Sequence, residues 1–173
     1  MAIAPFSSLT LPEDLPPALA QACRDFLLAS AGDRRQALRQ LGLGRYDFLV
    51  SLPATDANLR CLSRFLAQPS RVKFPQLQGV ELPGAALEGV NWIRGNLQGA
   101  NLQGARLGRA DLLFADFSGA DLRRADLRGA TLAETVWHQA QVQGCHLGTD
   151  LGLSPEQARD LVRRGAMIAD SDA

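Results

Sequence analysis

The 173-residue chain sets 18 Lys and Arg against 18 Asp and Glu, so no global field draws it to nucleic acid or to an anionic membrane surface. No apolar run nears membrane-spanning length and no basic stretch precedes a long apolar one at the start, so a cytoplasmic protein without membrane insertion is expected. Cys23, Cys61 and Cys145 lie far apart without metal-ligand spacing and read as reduced, buried thiols.

Residues 1–15 contain Pro5 and Pro12 and no apolar period, which reads as an extended arm. Residues 16–69 read as a module of four short amphipathic helices. The first runs from about Pro17 to Ser30 with Leu19, Cys23, Phe26 and Leu27 on one stripe. The second starts after Asp33 as its cap and carries Ala37, Leu38 and Leu41 before Gly42 and Gly44. The third carries Tyr46, Leu49, Val50 and Leu52 and stops at Pro53. The fourth starts after Thr55 or Asp56, shows Leu59, Leu62, Phe65 and Leu66 as its apolar face, and ends before Pro69. A bundle this small is marginal alone, so it is expected to lean on the first coil of the segment C-terminal to it and to cover that segment's open end.

Residues 70–152 hold the dominant feature. From Pro75 to Thr149 the chain reads PQLQG, VELPG, AALEG, VNWIR, GNLQG, ANLQG, ARLGR, ADLLF, ADFSG, ADLRR, ADLRG, ATLAE, TVWHQ, AQVQG, CHLGT: fifteen pentads without an insertion. Every pentad centre is apolar, Leu in eleven cases, with Trp92, Phe117, Trp137 and Val142 as the others. Two places earlier stands a compact residue, mostly Ala, and the fifth place is Gly in eight of fifteen. A period of five fits neither a helix nor a plain strand. Three residues alternating in, out, in and then two turning residues make one side and one corner, with Gly suited to a turn at φ > 0. Stacked turns would pair their backbones at roughly 4.8 Å.

The runs Ala100-Asn101-Leu102, Ala110-Asp111-Leu112, Ala115-Asp116-Phe117, Ala120-Asp121-Leu122 and Ala125-Asp126-Leu127 resemble the pentapeptide-repeat family, whose pattern is a small residue, Asp or Asn, Leu or Phe, and two freer positions. The resemblance implies an α+β protein built on a right-handed, quadrilateral parallel β-helix with four pentads per coil. Just under four coils would make a rod of about 18 Å. Members of that family share a shape and not a chemistry, and their repeats carry no catalytic residues.

Residues 153–173 read as a capping helix and a polar tail. Ser154 is the cap, Pro155 the first helical residue and Gln157 the capping-box partner, with a stop at Gly165. Ala158, Leu161 and Val162 are expected to lie over the last coil, and the tail is Ala169 to Ala173. With both ends plugged a monomer is expected.

Under the four-sided reading, residues twenty apart share a side. One column is apolar: Ile93, Leu113 and Ala133, with Phe114 at the adjoining corner. An apolar column on a polar rod needs a cover, either a partner protein or this chain's own arm or C-terminal segment. Arg106, Arg109, Arg123, Arg124 and Arg128 are expected to gather on another corner, interspersed with Asp111, Asp121 and Asp126. Mixed charge reads first as a solvated face with local ion pairs and second as a patch for an anionic partner.

Catalytic constellations are missing. Cys145 and His146 are neighbours whose side chains alternation sends to opposite sides, and Gly42-Leu43-Gly44 lacks the third glycine of a dinucleotide loop. Asp111, Asp116, Asp121 and Asp126 fall on successive sides and cannot share a substrate. Trp92 and Trp137 occupy inward centres. The expectation is a non-catalytic interaction, scaffolding or assembly protein that shows a rigid face to another protein, with no catalytic residue, cofactor, metal or direct nucleic-acid contact. Family members with an N-terminal helical part are frequent in photosynthetic bacteria, which implies work on a photosynthetic complex. The alternative is a DNA-mimicking inhibitor or protector of DNA gyrase, as in the quinolone-resistance branch. Those rods are long, acidic and dimeric, whereas this one is short, nearly neutral and studded with arginine.

Overall fold

The computed structural model describes residues 9, 14–149 and 151–168, and the chain divides into two units, Met1–Arg71 and Val72–Ala173. The expected polar tail, and the expected arm apart from residues 9, 14 and 15, lie outside the described residues.

In the first unit, α1 spans Pro17–Leu28, with proline in the first turn where its missing N–H costs nothing, and buries Ala20, Cys23, Phe26 and Leu27. Helix α2, Ala31–Gln40, begins earlier than the sequence reading placed it: the cap is Ser30, not Asp33. The Ser30 hydroxyl accepts from the Asp33 N–H at 3.2 Å and donates to its carboxylate at 2.7 Å. Asp33 thus stands in the first turn, where its charge also favours the helix dipole. The third segment, Gly44–Ser51, is a 3₁₀ helix interrupted at Tyr46 (φ −100°, ψ 42°) and not the expected amphipathic α-helix. The Tyr46 ring meets Phe65 edge-on at 5.1 Å, so a tertiary contact holds this residue outside the helical region. Helix α3, Asp56–Leu66, is capped by Thr55, whose hydroxyl accepts from the Asn58 N–H, and it buries Leu59, Leu62 and Phe65.

Arg34 ties these pieces together. Its guanidinium donates to the carbonyls of Leu27 and Ala29, at the end of α1, and to those of Val50 (2.8 Å) and Leu52 (2.9 Å) at the end of the 3₁₀ segment. Helix ends leave such carbonyls without partners, and one planar fork serves four of them. Burial lowers its pKa.

In the second unit parallel bridges join residues twenty apart, from Gln76 with Asn96 through Asn91 with Asp111 to Asp126 with His146. Four pentads therefore complete one coil. All fifteen pentad centres are buried, among them the file Leu102, Leu122 and Val142. On the side that carries Leu77, the Phe117 and Trp137 rings stack at 4.8 Å.

The pentad Ala100–Gly104 shows where the backbone donors go. Ala100 N–H bonds back to Leu97, Asn101 N–H to Val80 in the preceding coil, and Leu102 and Gly104 N–H to Asp121 and Arg123 in the next. The fourth donor, Gln103 N–H, goes to the Asn101 side-chain oxygen at 3.2 Å. Each backbone N–H is therefore satisfied. The same bond recurs at Asn91, Asn96, Asp111, Asp116, Asp121 and Asp126, whose side-chain oxygens accept from the N–H two places on, and this is why the second position favours Asp and Asn. Pro83 occupies the fourth position, whose N–H the ladder does not use.

At its C-terminal end the coil changes character. Leu132 N–H still donates to the Leu151 carbonyl at 2.6 Å, but Leu151, one place before the expected centre, is the buried residue. Helix α4, Pro155–Arg163, follows with Ser154 and Gln157 forming the capping box. The short strands β1, His146–Leu147, and β2, Met167–Ile168, then pair in parallel. Leu161 is buried, yet Val162 is 45% exposed: the stripe facing the coil is Gln157, Leu161 and Arg164, not the expected one containing Val162. Gln157 Nε2 donates to the Thr135 carbonyl at 2.8 Å and Arg164 Nη1 to the Trp137 carbonyl at 3.0 Å. Polar capping of exposed carbonyls outranks the apolar contact that Val162 could make.

The side-chain acceptors also titrate. The hydrogen bond from Arg123 holds the Asp121 carboxyl below its ordinary range, and that from Arg128 does the same for Asp126. Burial works to raise Asp116, but hydrogen bonds from Ser118 and Gln98 outweigh it. Folded values below unfolded ones mean stability that is complete above the unfolded carboxylate pKa and lost as pH falls through the folded values. The thermal midpoint of the repeat unit should therefore hold steady from neutral pH down to about 4 and fall below that. Asp121→Ala should cost about 1 kcal/mol at neutral pH and flatten this acid response, whereas Asp121→Asn should retain the turn.

Candidate partner-binding face

The fifth residue of a pentad turns the corner with φ near +60°, a conformation that an L side chain adopts at a cost of about 1–2 kcal/mol. Glycine fills most of these corners. Among the corners with positive φ, three of the four columns contain one non-glycine each: Gln139, Arg124 and Arg109. The column after the Trp92 side has no glycine: Arg94 (φ 53°), Phe114 (φ 60°) and Glu134 (φ 56°). A bulky aromatic in this region is a conformational outlier.

The side chains held there form a built surface. The Arg94 guanidinium lies over the Phe114 ring at 5.0 Å and over the Phe74 ring at 5.6 Å, and both rings stay more than 40% exposed. Beside them Ile93, Leu113 and Ala133 stand half-buried in one file, as the sequence column placed them. Asn91 and Asp111 accept from the Ile93 and Leu113 N–H groups and fix the backbone beneath this file. The C-terminal segment packs against the end of this file, since a Cβ on Gly152 would fall 2.9 Å from that of Ala133.

The five arginines of the sequence reading do not share one corner. Arg123 and Arg124 follow Leu122 on one side, and Arg106, Arg109 and Arg128 belong to the next. Arg106 pairs with Glu88 at 2.6 Å, Arg123 with Asp121 at 2.6 Å and Arg128 with Asp126 at 2.8 Å, so much of this charge is answered locally. Burial pushes the thiols of Cys23, Cys61 and Cys145 up to about 12, which keeps them protonated at neutral pH. His138 is exposed and His146 half-buried. Among the described residues no three His, Cys, Asp or Glu side chains are placed to hold a metal, and no helix is long and apolar enough to cross a membrane.

Sequence reasoning passed over Phe74, Arg94 and Glu134. Twenty-residue arithmetic places Arg94 and Glu134 in the Phe114 column, so that signal was present. Phe74 precedes the first pentad and carried none.

Residues 96–132 and 110–147 match the model of the family described as pentapeptide repeats, in eight copies. Similar solved structures include a pentapeptide repeat protein from the cyanobacterium Cyanothece 51142, 32% identical over 43% of this chain and 51% of that one, with a TM-score of 0.43. Another, from Nostoc PCC 7120, is 25% identical over 64% of this chain and 93% of that one, TM-score 0.30. A third, from the Arabidopsis thaliana thylakoid lumen, is 28% identical over 52% and 81%, TM-score 0.31. The chain spans about half the length of the Cyanothece protein. No curated protein matches it.

The strained corner can be separated from the fold. Phe114→Gly relieves the left-handed backbone while making the unfolded chain more flexible, two effects of about 1 kcal/mol each with opposite sign. Its denaturation midpoint should stay within about 1 kcal/mol of the parent, whereas Leu112→Ala, in the core beneath, should lose about 2–5 kcal/mol.

Proposed function

Because this chain is a pentapeptide-repeat protein, we propose that it acts without catalysis, as an interaction or scaffolding component that offers the Ile93, Leu113 and Ala133 file and the Phe114 corner to another protein. Its coil is taken as right-handed, as the resemblance implies. The observation that carries this reading is the all-non-glycine corner. Arg94, Phe114 and Glu134 each accept a backbone conformation that glycine would adopt freely, and what they add there is an exposed aromatic and charged ridge beside an apolar file. Strain kept where the fold does not need it is the mark of a functional position. Interface centres favour aromatic and arginine anchors bordered by small apolar side chains. The repeats underneath supply a surface that does not rearrange, which lowers the ordering cost of association.

The DNA-mimic alternative gains nothing from the surface. A mimic of duplex DNA needs unopposed carboxylates in a regular array, and Asp121 and Asp126 are each neutralised by an arginine two residues on.

Pull-down from the native host with the parent chain should retain a partner that Leu113→Arg loses by more than tenfold, while Gln103→Arg on a polar side binds as the parent does. Undiminished capture by Leu113→Arg would remove the proposed face. In a gyrase supercoiling assay the chain should have no effect at micromolar concentration.

A further inference from the structure

The column of corners beside the apolar file has an order of its own. From one coil to the next it runs Arg94, Phe114, Glu134: a cation, an aromatic ring and an anion, about 5 Å apart at each step. All three are exposed, and among the described residues neither Arg94 nor Glu134 has an ion-pair partner. Among the corners with positive φ, no other column carries both signs of charge. The adjoining file is graded in size in the same direction, from Ile93 through Leu113 to Ala133. Opposite charges, and a large and a small apolar side chain, therefore stand at equal distances on either side of the level of Leu113 and Phe114.

A face with that order complements itself. A twofold axis lying across the coil at the Leu113 level reverses the coil direction and sets each column opposite its own copy. Arg94 then meets the second copy's Glu134, and the reverse contact repeats it. Ile93 fits over Ala133, Leu113 meets Leu113, and the two Phe114 rings approach each other at the axis.

Taking the Phe114 face as a contact surface, as the proposed function does, we propose that its occupant in the free protein is a second copy of this chain, bound side by side and antiparallel. Charge selects this arrangement over its neighbours. Two copies running the same way, with the same columns in contact, set Arg94 against Arg94 and Glu134 against Glu134, and like charges brought together cost affinity. A shift by one coil sets Arg94 against Phe114 and leaves Glu134 without a cation. The contact is lateral, so it leaves aside the capped ends on which the expectation of a monomer rested. One side of a coil roughly 18 Å tall is smaller than a permanent interface, so the pair is reversible and yields the face to a partner that binds more tightly.

Sedimentation of the full chain from about 1 μM to about 1 mM should show monomer passing to dimer. Arg94→Glu alone and Glu134→Arg alone should each weaken the dimer by more than about tenfold, because each brings like charges together. An equimolar mixture of the two variants should associate to within about threefold of the parent, since every carboxylate of one then faces a guanidinium of the other. Rising salt should weaken the parent dimer. A chain that stays monomeric throughout overturns the inference and leaves the host-partner reading to its own pull-down. Single reversals that dimerise as the parent does, or a mixture no stronger than its components, also overturn it. Circular dichroism reports whether the variants fold. If either fails to, the parent decides, and a dimer indifferent to salt removes the paired charges.

Discussion

Five backbone N–H groups in each pentad without proline must find acceptors in a chain with no long strands and no helix in its repeats. The coil solves this with one donor back within the turn, one to the coil before, two to the coil after and, where Asp or Asn stands second, one to that side chain. Residue preferences follow from that division. Asp or Asn stands second because the fourth N–H has no backbone partner, and a small residue stands first because its Cβ points into a narrow interior. An inserted residue would shift every donor after it to a wrong acceptor, which accounts for fifteen pentads in unbroken phase.

A repeating ladder cannot end by repeating. The last coil leaves carbonyls and N–H groups facing outward, and the two kinds are treated differently. Helix α4 offers long side chains with N–H donors, so the carbonyls of Thr135 and Trp137 are answered by Gln157 and Arg164. Beyond it β2 rejoins the ladder one residue out of step, with His146 opposite Met167. A helix advances about 1.5 Å per residue against about 3.3 Å for a strand, so it cannot keep the twenty-residue beat and changes which groups are served.

The legible part of the chain is the part governed by side-chain burial. The buried centres, the number of residues per coil once the resemblance is accepted, the cap and stop of α4 and the apolar column could all be read from spacing. What escaped depended on competition among equivalent local signals or on distant partners. Ser30 and Asp33 are both good helix caps, and only the packed chain shows that the first wins. Arg34 looks like any solvated helix arginine until four carbonyls converge on it. Tyr46 leaves the helical region for the sake of Phe65, a residue nineteen positions away whose attraction no window of local sequence contains. On the array, a glycine announces a left-handed corner, but Arg94, Phe114 and Glu134 announce nothing by themselves.

The proposed face rests on that last silence. Against glycine at the same turn, each of these three residues trades about 1 kcal/mol of left-handed strain for about 1 kcal/mol of lost unfolded-chain freedom. The cation stacked between Phe74 and Phe114 adds about 0.5–1 kcal/mol per contact at so exposed a site, so the stability of the fold alone does not account for the choice of these residues. Elsewhere the same array uses glycine for the same turn, so the backbone does not require these side chains. The basic side has left-handed residues of its own in Arg109 and Arg124, but Arg106, Arg123 and Arg128 each meet a carboxylate and any gain is of the ordinary surface kind. In the proposed contact a partner laid against this surface would take its apolar area out of water. The Ile93, Leu113 and Ala133 file provides the flat apolar floor, and the Phe114 corner the raised edge, for such a contact.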